Sequence, residues 1–140
     1  LTSIAEVLDQ GHCILLDVDY QGASKLATRF PEEARLIFIL PPSLDALESR
    51  LRTRDTDSSA VIEQRLRKAR EEIRHFWQYH YLVVNNQIES AYAELEAIYD
   101  VEQATRNQQV PGPEQAALAA ACRRAARQPI AETLLSSIPE

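Results

Sequence analysis

The sequence predicts an α/β fold with a three-stranded parallel sheet, flanking helices and a helical C-terminal tail. Three short apolar runs, at residues 13–18, 36–40 and 81–84, have the length and composition of buried strands. Segments with helical periodicity separate these runs, and parallel strands need such crossover connections. A length of 140 residues and a hydrophobic content of 45% suit a single domain.

The amino-terminal part contains a short helix, the first strand and a second helix. Thr2 or Ser3 serves as the N-cap of the short helix, and Gly11 provides its left-handed stop. The apolar run at residues 13–18 ends in acidic residues, which is typical of a strand buried on both faces. The following segment predicts a helix that Pro31 ends.

The next elements continue the alternation of strand and helix. Pro41 and Pro42 end the second strand, and Ser43 caps the helix that follows it. The region from about residue 59 to residue 75 predicts a strongly amphipathic helix, whose apolar face consists of Ile62, Leu66, Ala69, Ile73 and Trp77. The third strand leads into a last helix that ends near Thr105.

The composition changes after this helix, so we predict one domain over residues 1–105 and a tail over residues 106–140. Residues 108–115 hold two of the seven prolines and one of the three glycines, which indicates a linker. The alanine-rich stretch at residues 116–127 has high helix propensity but few large apolar side chains. This stretch either docks as a helix or frays.

Charge and cysteine content exclude several classes of protein. The 15 basic and 21 acidic residues give a net charge of −6, which argues against general nucleic-acid binding. No apolar run reaches the roughly 18 residues that cross a bilayer, and the start lacks a signal-peptide pattern. We therefore expect a cytoplasmic protein with no membrane partner. Cys13 and Cys122 lie far apart in apolar surroundings and are expected to be reduced packing residues.

Two carboxylates mark the end of the first predicted strand. Asp17 and Asp19 lie two residues apart, so a strand would direct both to the same face. Ligands of open α/β sheets bind at that end of the strands, and carboxylate oxygens suit Mg²⁺. In the alternative interpretation, one acid caps the following turn and the other is solvated.

The main electrostatic signal is a cluster of basic side chains between residues 50 and 74. Eight of the fifteen basic residues fall there against five acids. Arginine forks bind phosphate oxygens, and two such helices joined by a polar turn could cover a polyphosphate. Alternatively, the cluster is a solvated helix face with ion pairs such as Arg67 with Glu71. His12, His75 and His80 lack metal-ligand spacing.

Five segments taken in order resemble the second half of guanylate kinases: GHCILLDVDYQGA, LIFILPPS, LESRLRTRDTDS, VIEQRLRKAREEI and YLVVNN. The resemblance runs over about residues 2–101. It implies a partial P-loop kinase fold and the transfer of the terminal phosphate of ATP to GMP, with Mg²⁺, giving GDP and ADP.

The resemblance also assigns roles to residues. It places Asp17 and Asp19 at the metal and nucleotide site, with Asp17 as the Mg²⁺ ligand. The turn beside bound GMP corresponds to Gln21, Gly22 and Ala23. In a lid at about residues 50–66, the arginines that reach ATP and the transferred phosphate correspond to Arg50, Arg54 and Arg65. Asn85 corresponds to a residue near the adenine pocket.

The sequence departs from the family pattern in several places. No glycine-rich phosphate loop occurs in the 140 residues, and the GMP-binding lobe has no counterpart. Asp55 replaces a usual glycine, and His80 and Asn86 replace usual aspartates. We therefore expect part of a guanylate kinase that is inactive alone and self-associates through exposed sheet edges. The alternatives are a non-catalytic guanylate kinase-like interaction module and a regulatory subunit of another kinase.

Overall fold

The structure, a computed structural model, describes residues 3–53 and 58–137 of the chain. The helices of the first part are α1 (Ile4–Asp9), α2 (Tyr20–Arg29), α3 (Leu44–Thr53) and α4 (Ser59–Arg74). Those of the second part are a 3₁₀ helix (Phe76–Gln78), α5 (Ile88–Arg106), α6 (Pro113–Ala121) and α7 (Arg124–Ser136). The strands are β1 (Ile37–Leu40) and β2 (Tyr81–Val84).

The two strands form a parallel sheet in which Ile37 lies opposite Tyr81 and Leu40 lies opposite Val84. Helices α3 and α4 make the crossover between the strands, as parallel pairing requires. The predicted α/β class is confirmed, but the sheet of the described residues has two strands instead of three.

The missing strand is the one predicted at residues 13–18. These residues form neither helix nor strand, and none of their backbone groups is hydrogen-bonded to another described residue. A strand needs a neighbour for its N–H and C=O groups, and β1 does not provide one here. As a result Leu15 is 95% exposed, and Leu16 and Val18 are each 44% exposed.

Hydrophobic cores lie on both faces of the sheet because successive strand residues point in opposite directions. The first core packs α2, α4 and α7 on one face and contains Ala23, Leu36, Leu40, Ile73, Tyr79, Leu82, Ala131 and Leu134. The second packs α5 and α6 on the other face and contains Tyr81, Val83, Ala91, Ala97, Ile98, Ala119 and Cys122.

The tail forms two helices instead of the single helix predicted at residues 116–127. The chain breaks the helix at Cys122, whose carbonyl oxygen accepts a hydrogen bond from the Leu82 N–H at 2.7 Å. The Arg124 N–H donates to the His80 carbonyl oxygen at 3.0 Å. The tail therefore pairs with the outer edge of β2. Burial raises the pKa of the Cys122 thiol to about 11, whereas Cys13 is exposed.

His80 supports the start of the sheet through its side chain. Its Nδ1 atom accepts a hydrogen bond from the Leu36 N–H at 2.9 Å, which requires a neutral ring with its proton on Nε2. Burial lowers the pKa of His80, and so does the nearby guanidinium of Arg35. The other charged groups that act on the ring are Glu102, which raises this pKa, and Arg123 and Arg124, which lower it.

We predict that this arrangement makes stability depend on pH. As the pH falls through about 6.5, the unfolded chain binds a proton at residue 80 more readily than the folded chain, so the free energy of unfolding decreases. His80→Asn keeps an acceptor without titrating, and urea unfolding between pH 5.5 and 8 should show a shallower pH slope for it. Equal slopes in both proteins would contradict the prediction, since His12 and His75 are common to both.

Candidate functional site

One part of the candidate site lies where the strands end, and Arg50 contacts the residues that follow β2 there. The Arg50 guanidinium, on the last turn of α3, donates to the carbonyl oxygens of Asn85 at 3.1 Å and Asn86 at 3.3 Å. The Asn85 N–H donates to the Leu40 carbonyl oxygen at 2.8 Å, which continues the sheet by one residue. The structure therefore brings together two residues that the family resemblance assigns to the ATP side.

The acidic pair lies at the beginning of α2. Asp19 is the N-cap of this helix, and its Oδ1 accepts a hydrogen bond from the Gly22 N–H at 2.8 Å. A Cβ atom at Gly22 would lie 3.0 Å from the Cβ of Val18, so this turn leaves little room for a side chain. The carboxylate of Asp17 is exposed and makes no hydrogen bond to the described residues. Asp17 thus has both carboxylate oxygens open to a ligand, whereas Asp19 uses Oδ1 to cap α2.

The other two residues predicted beside the substrate differ in accessibility. Gln21 is exposed, and its amide nitrogen lies 3.4 Å from the Tyr20 hydroxyl. Ala23 is only 2% exposed and packs in the first core. The side chain of Ala23 therefore anchors α2, and only Gln21 and the backbone of the turn face solvent.

Three residues that the sequence analysis did not assign to the site hold Tyr20, which directly follows the acidic pair. Glu72 accepts a hydrogen bond from the Tyr20 N–H at 3.0 Å, and the Gln78 amide donates to the Tyr20 carbonyl oxygen at 2.9 Å. The His75 ring stacks on the Tyr20 ring, with centroids 3.9 Å apart and planes 8° apart. The acidic turn is thereby attached to the carboxyl end of α4.

Burial is the main cause that raises the pKa of Glu72, and the negative charge of Asp19 raises it further. The hydrogen bond from the Tyr20 N–H and the charges of Lys68 and His75 act in the opposite direction. The hydrogen bond from the Tyr20 N–H places Glu72 beside the acidic turn, where the two carboxylates act on each other.

The basic side chains of α4 line an open depression of about 600 Å³, formed by Val61, Gln64, Arg65, Arg67 and Lys68. Arg65 precedes Glu72 by two helical turns, so the two residues share one face of α4 about 10 Å apart along its axis. Arg54 and Asp55, which the family resemblance also places in the lid, lie outside the described residues.

No group of three or more His, Cys, Asp or Glu side chains converges on a possible metal position in residues 3–53 and 58–137. Mg²⁺ at kinase sites takes one or two carboxylates and completes its shell with water and substrate phosphates. The exposed carboxylate of Asp17 fits that mode. No helix within the described ranges is long and apolar enough to span a membrane.

Residues 1–102 match the model of the guanylate kinase family, so the chain belongs to this family. It is similar to the guanylate kinases of Alcanivorax borkumensis, at 44% identity over 107 residues, and Pseudomonas syringae pv. tomato, at 42% over 106. These alignments cover 76% of this chain and 51% and 49% of the relatives. The guanylate kinase of Maricaulis maris is 39% identical over 105 residues. The chain spans about half the length of the curated relatives it matches, and the resemblance found in the sequence is confirmed.

Proposed function

We propose that this chain supplies the lid, the acidic pair and the adenine side of a cytoplasmic enzyme that transfers phosphate from ATP to GMP, giving ADP and GDP. The observation that carries the proposal is the placement of Arg50 against Asn85 and Asn86 at the ends of the strands. Family membership supports it. The free cysteines, Cys13 and Cys122, suit the reducing cytoplasm.

In this proposal each residue acts by binding or positioning. Arg50, Arg65 and Arg54 bind the phosphate oxygens of ATP and stabilise the charge of the transferred group. Asn85 borders the adenine, and the turn at Gln21 and Gly22 lies beside GMP. Asp17 would hold Mg²⁺, which neutralises charge on the ATP phosphates when bound.

The phosphate-binding backbone must come from outside these 140 residues. The only glycines are Gly11, Gly22 and Gly112, so the sequence has no glycine-rich loop. Most of what such an enzyme contributes is the positioning of phosphates. The 140-residue chain alone should therefore bind ATP weakly and in a salt-sensitive manner, and should not transfer phosphate.

A fusion protein tests this proposal. We expect no turnover of ATP and GMP by the chain alone, and measurable turnover when the unmatched half of the Alcanivorax borkumensis enzyme is fused to it. Arg50→Ala in the fusion should lower kcat by about 100-fold or more, because a phosphate-binding arginine is lost. Arg52→Ala is the matched control, since Arg52 lies on the same helix and pairs with Glu48.

A folded fusion without activity would contradict the kinase proposal and favour a non-catalytic interaction module. Turnover by the 140-residue chain alone would contradict the requirement for an external phosphate loop. An effect of Arg52→Ala as large as that of Arg50→Ala would remove the specific role of Arg50.

We also propose that the isolated chain self-associates through the free edge of β1. Ile39 on this strand is 50% exposed. Leu15, two residues before Asp17, adds further apolar surface because it is 95% exposed. The tail already pairs with the edge of β2, which leaves β1 as the open edge of the described sheet. Unpaired edges with exposed apolar side chains recruit other chains.

Sedimentation at micromolar concentration should detect dimers or larger species of the isolated chain. Ile39→Lys should shift the protein to a monomer, because it places a charge on the edge strand that would pair. Leu15→Lys should weaken association by removing exposed apolar surface. Ile88→Lys is the control, as Ile88 is 76% exposed but lies on α5. A compact monomer at all concentrations would count against self-association.

A further inference from the structure

The attachment of Tyr20 has a consequence for the acidic pair beside it. Residues 13–18 have no backbone hydrogen bond to any other described residue, so the chain before the acidic turn is not located by a sheet. The contacts to Tyr20 from Glu72, His75 and Gln78 follow immediately after that turn. They are the contacts best placed to locate Asp17 and Asp19.

All three contacts come from one continuous segment of the molecule, residues 72–78. Glu72 lies on the last turn of α4, His75 is its C-cap, and Gln78 lies in the 3₁₀ helix that follows. Ile73, between them, is 1% exposed in the first core. The three side chains contact the N–H, the ring and the carbonyl oxygen of Tyr20, so they restrain its backbone on both sides.

The same helix carries Arg65 two turns earlier on the face that bears Glu72. A helix transmits position because its backbone hydrogen bonds make it stiff over this length. Helix α4 is also held along its length, since Ile62 and Leu66 are buried at 4% and 3% exposure. The geometry therefore couples the basic depression at Arg65 to the acidic turn.

We propose that Glu72, His75 and Gln78 are positioning residues that clamp Tyr20 and thereby fix the acidic turn relative to Arg65. This inference rests on the proposed kinase function, in which Asp17 and Arg65 bind the same nucleotide. Glu72 is the central member, because it is the acceptor for an N–H group in the first turn of α2.

Two measurements on the 140-residue chain test the clamp without any nucleotide. Hydrogen exchange of the Tyr20 and Gly22 N–H groups should be at least tenfold faster in Glu72→Ala and Gln78→Ala than in the natural sequence. Spin labels on Asp17→Cys and Gln64→Cys, with the exposed Cys13 replaced by serine, should give a narrow distance distribution that broadens at least twofold in Glu72→Ala. Glu72→Gln keeps an acceptor oxygen and should restore both values.

Glu63→Ala is the matched control, because Glu63 lies on α4 and its carboxylate is 3.8 Å from Arg70. Titration of the chain with ATP and Mg²⁺ gives the functional readout: the Kd should rise at least threefold in Glu72→Ala and return in Glu72→Gln. Unchanged exchange and label distances in Glu72→Ala and Gln78→Ala would overturn the clamp. If the natural sequence binds no ATP, the proposed function fails, and the label distances alone decide whether the clamp exists.

Discussion

A chain that ends at Arg106 should fail to fold stably, although the family match ends at residue 102. The tail places four side chains fully inside the two cores, namely Ala119, Cys122, Ala131 and Leu134. It also provides the carbonyl oxygen of Cys122 for the Leu82 N–H in β2. Loss of this burial costs on the order of 5 kcal/mol, which is comparable to the whole stability of a small domain.

Thermal melting followed by circular dichroism measures this effect. The truncated chain should be mostly unfolded already at 25 °C, so most of the cooperative melting transition should be lost. A chain that ends at Ser137 keeps all four buried tail residues and is the control for shortening as such. A truncated chain that melts within about 5 °C of the full one would limit the contribution of the tail to about 1 kcal/mol.

Local patterns predicted most of the fold. Strands β1 and β2 appeared as short apolar runs, and α4 appeared through the spacing of Ile62, Leu66 and Ile73, which are its buried residues. The run at residues 13–18 has the same local pattern and yet forms no strand. Strand formation depends on a neighbouring strand, and that neighbour is a non-local property which apolar composition does not report.

The tail was less predictable for a related reason. Its alanine content indicated a helix, but helix propensity carries no information about docking. Alanine allows a close approach, and Ala119 and Ala131 are 2% and 0% exposed against the cores. The break at Cys122 follows from pairing with β2, which is again a long-range contact.

The candidate site was predicted in part. Residue type and family resemblance pointed to Arg50 and Asn85, and the structure shows them in contact. Neither spacing nor composition indicated that Glu72 contacts Tyr20, because 52 positions separate them in the sequence. The sequence did hold one signal that Glu72 belongs near the site: it follows Arg65 by two helical turns, so both residues lie on one face of the helix.

Arg127→Ala should destabilise the protein more than any other single loss of an ion pair described here. The Arg127 guanidinium donates to both carboxylate oxygens of Glu94, at 2.7 and 2.6 Å, and to the Leu82 carbonyl oxygen at 3.2 Å. The two side chains are only 16% and 12% exposed. This pair connects α7 of the tail to α5 and to the middle of β2.

Removal of one partner leaves the other charge without its counterion in a partly desolvated position. Glu94 would retain the longer hydrogen bond from the Val84 N–H, at 3.4 Å, and its hydrogen bond with the Cys122 thiol, neither of which supplies a counterion. Such losses cost about 3–5 kcal/mol for buried pairs, and we expect about 3 kcal/mol here because some solvent contact remains. For a domain of this size, the melting temperature should fall by about 10 °C.

A double-mutant cycle separates the pair from the packing of its side chains. The double variant with Glu94→Gln and Arg127→Met leaves no buried charge and should be more stable than Arg127→Ala alone. Arg35→Ala is the control, because the pair of Arg35 with Glu102 is more exposed, at 36% and 22%, and should contribute less than about 1 kcal/mol. Equal losses from Arg35→Ala and Arg127→Ala in urea unfolding would show that the attachment of the tail depends on packing and not on this buried charge pair.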